Sequence, residues 1–252
     1  MTQFDDTSIL KNDPSARVFS YGLEATDYLA AKDARMALVI EQVGHVYRAL
    51  DGDLFSSVMH HIVGQQISTK AQATVWRRMR EGLGEPDARH VAEASIDELQ
   101  AFGMTFRKAE YIREFAGKVV RGEFDLEAIA RMPDAEAVAA LSSLSGVSTW
   151  TAEMILLFCL ERPDVFSYDD LAIQRGLRMV YHHRAITRPL FEKYRRRFSP
   201  YGSVASLYLW EVAGGAVEGL RDHAPKTSRK KPSKKGAAQA KQASQALRPR
   251  IP

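Results

Sequence analysis

The chain has 252 residues, 45% hydrophobic and 26% charged, with a formal charge of +4 and one cysteine, Cys159. That balance suits one globular domain or two small ones sharing a core, and a lone cysteine excludes internal disulfides, cysteine-ligated zinc and four-cysteine iron–sulfur clusters. No apolar run reaches the ~20 residues that span a membrane, and the start MTQFDDTSILKND is acidic rather than signal-like, so a soluble cytoplasmic protein is expected.

Helical periodicity dominates the chain. Tyr28, Met36, Val39, Ile40 and Val43 suggest two short helices. Phe55, Val58, Met59, Ile62 and Gln66 then follow the spacing of one helix face, and Ser68 can cap a helix carrying Ala71, Val75, Trp76 and Met79. A further helix begins near Phe106, places Ile112, Phe115, Ala116 and Val119 on one side, and stops near Gly122. Asp134 opens a helix through Ala140 and Leu144. The next stripe is Trp150, Met154, Leu157 and Phe158, and Tyr201 to Ala213 closes the folded part. With no sustained alternation and no hairpin dipeptide between alternating runs, the expectation is an all-α fold from about Tyr21 to Gly219. From Arg221 onward ten Lys/Arg face one acid, Asp222, without a single aromatic. This tail is expected to be disordered, serving either solubility or non-specific attraction to phosphates, and the rest of the chain carries a net negative charge.

The segment LSSLSGVSTWTAEM, Leu141 to Met154, holds the most information. A helix end, a tight turn at Gly146 and a new helix opening at Thr149 make a helix–hairpin–helix. The turn around Gly146, Val147, Ser148 and Thr149 would aim backbone N–H groups and the positive end of a helix dipole outward, a site for a phosphate. After it, a loop from Pro163 ends in two acids, Asp169 and Asp170, directly before a helix.

This order of motifs resembles the helix-hairpin-helix DNA glycosylases, nearest the 3-methyladenine DNA glycosylase II (AlkA-like) branch. The stretch Gly64-Gln65-Gln66-Ile67-Ser68 is similar to that branch's own segment, and so is Ser199 to Trp210. Larger members carry an N-terminal sheet domain for which too few residues precede Phe55. The family hairpin usually reads Pro-Gly-x-Gly, so Ser148 is expected to take the conformation of its second glycine. The resemblance implies two helical lobes with a cleft between them, within a unit of residues 14–223. One lobe spans about 55–144, the other combines the N-terminal helices with 145–223, and 224–252 is a basic low-complexity tail. It also implies hydrolysis of the N-glycosidic bond of alkylated purines, such as 3-methyladenine and 7-methylguanine, in base excision repair. The partner would be double-stranded DNA containing damaged bases, bound by a monomer that has no membrane contact and meets the nucleoid through DNA. No cofactor is implied, although the resemblance allows a monovalent cation on hairpin carbonyls.

Residue by residue, an aspartate before a helix is by itself an ordinary N-cap. The resemblance assigns catalysis to Asp170, whose carboxylate would stabilise positive charge on the sugar and orient water, leaving Asp169 the structural role. Trp150 stands where strand-cutting relatives carry a lysine nucleophile, so no lyase activity is expected. Composition alone makes Trp150 and Trp210 core residues; the resemblance makes them walls of a base pocket that attract cationic purines through their π faces. Met154 stands where some relatives place a tyrosine, and Tyr208 is either a packing residue or part of the pocket. Gln65 and Gln66 read either as amides capping a helix end or, by resemblance, as the turn whose side chain, Gln66 first, enters the duplex where a nucleotide has flipped out. The adjacent pairs His60-His61 and His182-His183 diverge by about 100° on a helix and are not expected to share a metal. Two rival readings are a same-fold glycosylase for oxidised or deaminated bases and a damage-binding module without chemistry.

Overall fold

A computed structural model describes residues 17–84 and 87–225; the basic tail expected beyond Pro225 lies outside them. Among the described residues there are thirteen α-helices and one isolated antiparallel bridge, Val18 with Ala49, so the fold is all-α. The helices are α1 (Leu23–Lys32), α2 (Ala34–Val43), α3 (Leu54–Gly64), α4 (Thr69–Leu83), α5 (Ala88–Glu93), α6 (Ile96–Ala101) and α7 (Phe106–Val120). They continue with α8 (Leu126–Arg131), α9 (Asp134–Ser142), α10 (Thr149–Phe158), α11 (Leu171–Tyr181), α12 (Arg188–Phe198) and α13 (Gly202–Gly214).

Local chemistry sets most of the helix starts. Side chains of Asp33, Asp53, Ser68, Asp87, Ser95, Thr105, Asp125, Ser148 and Asp170 accept backbone amides of the first turn that follows them. Each such cap contributes about 1 kcal/mol by satisfying an amide that has no partner inside the helix. The short helices α5, α6 and α8 and the arginine-rich α12 escape the periodicity reading. At six residues a helix is too short to show a repeat, and α12 buries only Phe191, Tyr194 and Phe198.

The helices pack as two groups. Helix α7 gathers α3, α5 and α6, while α13 gathers α1, α2, α11 and α12. Helix α10 lies at the seam. It packs on α9 and α3, and its last residue, Phe158, stacks on Trp210 of α13 with ring centroids 5.6 Å apart. One continuous apolar cluster runs through both groups, each fully buried Leu, Ile or Phe adding about 1.5–3 kcal/mol. Helix α13 is its axis and is buried on nearly every side. Gly176 lets α11 approach it, since a Cβ there would stand 2.5 Å from the carbonyl oxygen of Leu209.

Two buried serines of α13 also fix the chain that leads to Asp170. Ser203 Oγ accepts the amide of Val165 at 2.9 Å and donates to the carbonyl of Arg162, and Ser206 Oγ donates to the carbonyl of Val165. Asp164 returns the tie by accepting the Gly202 amide at 3.0 Å and the Ser199 hydroxyl at 2.6 Å. The loop before α11 is thereby strapped to the most buried helix of the protein.

Candidate active site

A cleft of about 1000 Å³ opens between the two groups of helices. Its walls come from Arg48, Ala49 and Asp51, from the end of α3 with the turn and the first residues of α4 after it, from Arg107 and Tyr111 of α7, and from the hairpin with α10. The first stretch is held by N-terminal residues, the Phe19 amide donating to Arg48 O and the Leu50 amide to Arg17 O, both at 2.8 Å.

Trp150 lines this cleft and is 38% exposed, unusual for an indole in a helical protein. Its Nε1 donates to Asp170 Oδ2 at 3.0 Å. The other carboxylate oxygen, Oδ1, accepts the amides of Ala172 and Ile173 at 2.8 Å each. Asp170 is therefore itself the N-cap of α11, and Asp169, expected in that structural role, is exposed. Oδ1 alone spans both amides and leaves Oδ2 to the indole, so Asp170, which is not itself among the side chains lining the cleft, meets it only through Trp150. Three N–H donors and a helix N-terminus replace water around this buried carboxylate.

The hairpin has the expected form with one correction. Gly146 takes the left-handed conformation at φ +84°, and a Cβ there would lie 2.4 Å from the Tyr111 ring. Ser148, expected to substitute for a second glycine, has ordinary extended backbone at φ −83°. The hairpin needs only one left-handed residue, so Ser148 instead caps α10, its Oγ accepting the Thr151 amide at 3.1 Å. Val147 is buried with its amide turned inward to Leu144 O, whereas Ser148 and Thr149 are exposed at the dipole's positive end.

Facing the hairpin, Gln66 is exposed and left-handed at φ +57°. Gln65 donates through Nε2 to Gly146 O at 2.6 Å, tying the turn to the hairpin. The carbonyls at the end of α3 are held by distant side chains: Gln72 Nε2 reaches His60 O at 2.9 Å, and Lys108 Nζ reaches Val63 O at 2.8 Å and Gln65 O at 2.5 Å. Burial pulls the Lys108 ammonium below its ordinary pKa.

Trp210 backs the cleft through Phe158, which does line it. Met154 and Tyr208 are buried away from the lining. Tyr208 spends its hydroxyl on Gly44 O at 2.9 Å, and burial, together with the nearby Tyr21, pushes its pKa up. Cys159 lies behind the cleft, and burial pushes its thiol up to about 11, which makes it a poor nucleophile. No group of three or more potential metal ligands occurs among the described residues.

Sequence reasoning missed a polar wall. Asp51, His60 and His61 all line the cleft. His61 Nε2 lies 3.2 Å from Asp51 Oδ2, off the angle of a hydrogen bond, and His60 Nδ1 lies 4.0 Å from Oδ1. Sequence spacing relates the two histidines only to each other. Their shared neighbour, nine residues upstream, could be found only through the turn that brings residues 48–51 back onto α3.

Comparison with known proteins agrees with this geometry. The family described as HhH-GPD superfamily base excision DNA repair protein matches residues 59–200. A DNA-3-methyladenine glycosidase of Bacillus halodurans, solved by crystallography, superposes with a TM-score of 0.73 at 30% identity, covering 82% of this chain and 97% of that one. Schizosaccharomyces pombe 3-methyladenine DNA glycosylase, Mag1, solved in complex with abasic DNA, shares the fold with a TM-score of 0.67 at 23% identity, covering 76% of this chain and 97% of that one. A DNA-3-methyladenine glycosylase of Bacillus subtilis is 25% identical over 173 residues, 64% of this chain and 57% of the relative. The chain thus spans little more than half the length of that relative. With a matching profile over more than half its residues, the chain belongs to the HhH-GPD superfamily of base excision DNA repair proteins, within the branch of the 3-methyladenine DNA glycosylases.

Proposed function

We propose that the protein is a monofunctional DNA glycosylase that binds duplex DNA as a monomer and hydrolyses the N-glycosidic bond of alkylated purines such as 3-methyladenine and 7-methylguanine. The reading rests above all on the bond between Asp170 and Trp150 at a cleft flanked by the hairpin and the Gln66 turn. In this reading the exposed amides at the start of α10 hold a backbone phosphate, and Gln66 fills the gap left by the extruded nucleotide. The alkylated base enters the cleft between Trp150 and the Phe158–Trp210 stack.

The chemistry follows from the charges. A purine nucleotide alkylated at N3 or N7 is cationic, so breaking the bond from its ring nitrogen to C1′ releases a neutral base and moves positive charge to the sugar. The Asp170 carboxylate stabilises that developing charge. Water then adds to C1′ and loses a proton, leaving an intact abasic site. No lysine is among the side chains lining the cleft, and an indole cannot form the Schiff base needed for strand cleavage.

The deciding experiment is single-turnover excision on duplexes carrying one 7-methylguanine. The wild type is expected to release the base without borohydride-trappable adduct. Asp170→Asn is expected to lose at least about 100-fold in rate while retaining DNA affinity, the scale on which removing one transition-state electrostatic contact acts. An active Asp170→Asn, or a trapped adduct, would overturn the assignment.

A further inference from the structure

The Asp51 wall has no part in the mechanism above, yet it faces the same cleft. Its backbone amide donates to Phe158 O at 2.8 Å, which sets the residue beside the stacked Phe158–Trp210 pair. Ser57 donates its hydroxyl to Oδ2 at 2.7 Å, and His61 lies against the same oxygen. Oδ1 accepts no hydrogen bond among the described residues, and its nearest charged neighbour is His60 at 4.0 Å. Burial by itself would raise the Asp51 pKa, but the contacts from His61 and Ser57 outweigh it and hold the carboxyl below its ordinary value. Burial also pulls the His60 imidazole below its ordinary value, so His60 does not cancel the carboxylate at neutral pH. The cations that share the cleft are engaged elsewhere: Arg48 with Glu211 at 2.9 Å, and Arg107 with the Tyr111 hydroxyl and ring.

From this geometry we infer that Asp51 is a specificity-determining residue, presenting an oriented negative charge and an open acceptor oxygen to the edge of the extruded base, and so favouring purines that carry a positive charge and an exocyclic amino group. The inference rests on the glycosylase reading and names what that site selects. Aromatic walls grip any flat base, and their preference for a cation is modest. A carboxylate in a partly desolvated cleft separates charged from neutral bases more sharply, because its attraction to a unit charge is screened less than in water. An acceptor aimed at an amino group further penalises a base that offers no donor there, since the oxygen, once covered by that base, stays unpaired.

The test compares wild type with Asp51→Asn, whose amide oxygen can still accept from Ser57. Both are assayed on duplexes carrying 7-methylguanine, on duplexes carrying neutral hypoxanthine, and for affinity towards a duplex with a tetrahydrofuran abasic analogue. Expected is a loss of about tenfold or more in kcat/KM on 7-methylguanine, against a change within about threefold on hypoxanthine and in tetrahydrofuran affinity. An unchanged rate on 7-methylguanine overturns the inference, as does a parallel fall in all three measurements. Should Asp51→Asn melt below the assay temperature, Ser57→Ala keeps the charge but frees its orientation. That variant is expected to lower 7-methylguanine excision alone, and an equal effect on hypoxanthine overturns the inference. A wild type that releases neither base refutes the glycosylase reading and this inference with it, whereas an active wild type with an indifferent Asp51→Asn refutes the inference only.

Discussion

Two turns face each other across the cleft and are built on opposite plans. The hairpin between α9 and α10 is a local structure: its left-handed residue is a glycine, its helix is capped by a serine inside the turn, and the Val147 amide closes onto Leu144 three residues back. The turn between α3 and α4 puts Gln66 in the left-handed region and borrows its stability from afar, through Lys108 and through the Gln65 bond to the hairpin. A turn that must present a side chain outward cannot use glycine at its tip, so partners distant in sequence offset the strain. A turn that presents only backbone can be made from its own few residues.

The largest effect expected from breaking this contrast is at Gly146. Gly146→Ala adds a Cβ against the Tyr111 ring in a backbone region that side chains rarely adopt, and about 2–4 kcal/mol of destabilisation is expected in urea unfolding, from backbone strain and overpacking together. A loss under about 1 kcal/mol would mean that the hairpin rearranges freely. Next comes Lys108→Met, which removes the donor to two carbonyls and should cost about 1.5–3 kcal/mol, since hydrogen bonds to a charged group lie in that range. If the remote support is what the second turn needs, this variant also weakens binding to abasic-analogue duplexes, while an unchanged affinity would detach Lys108 from function. Smallest in stability is Gln66→Gly. Relief of left-handed strain and the added freedom of the unfolded chain nearly cancel, leaving a net gain of about 0.5 kcal/mol. Excision should nevertheless fall if, as proposed, the Gln66 side chain enters the duplex, and a Gln66→Gly variant with full excision would remove the wedge role.

Much of the site was legible because it is sequential. The hairpin, its Gly146, the helix opening at Thr149 and the acid pair before α11 all lie within thirty residues, where turn and cap chemistry act on neighbours. The division of labour between Asp169 and Asp170 was not legible, since both precede the helix and only the observed bonds to Ala172, Ile173 and Trp150 tell which one turns inward. Met154 follows Trp150 by four residues, as a shared helix face requires, yet it is buried while Trp150 faces the cleft. Periodicity gives the face but not how wide an opening lies over it.

Composition, spacing and capping residues by themselves determined that this chain is helical, where most of its longer helices begin, and that a hairpin precedes an acid-capped helix, because each of these depends on interactions within a few residues. Tertiary structure alone decided that Asp51 and the two histidines form one wall of the cleft, that Lys108 supports a turn more than forty residues away, and that Tyr208 is spent on packing. Those outcomes depend on which surfaces meet when two groups of helices close on a common core, and no local rule of the backbone encodes that.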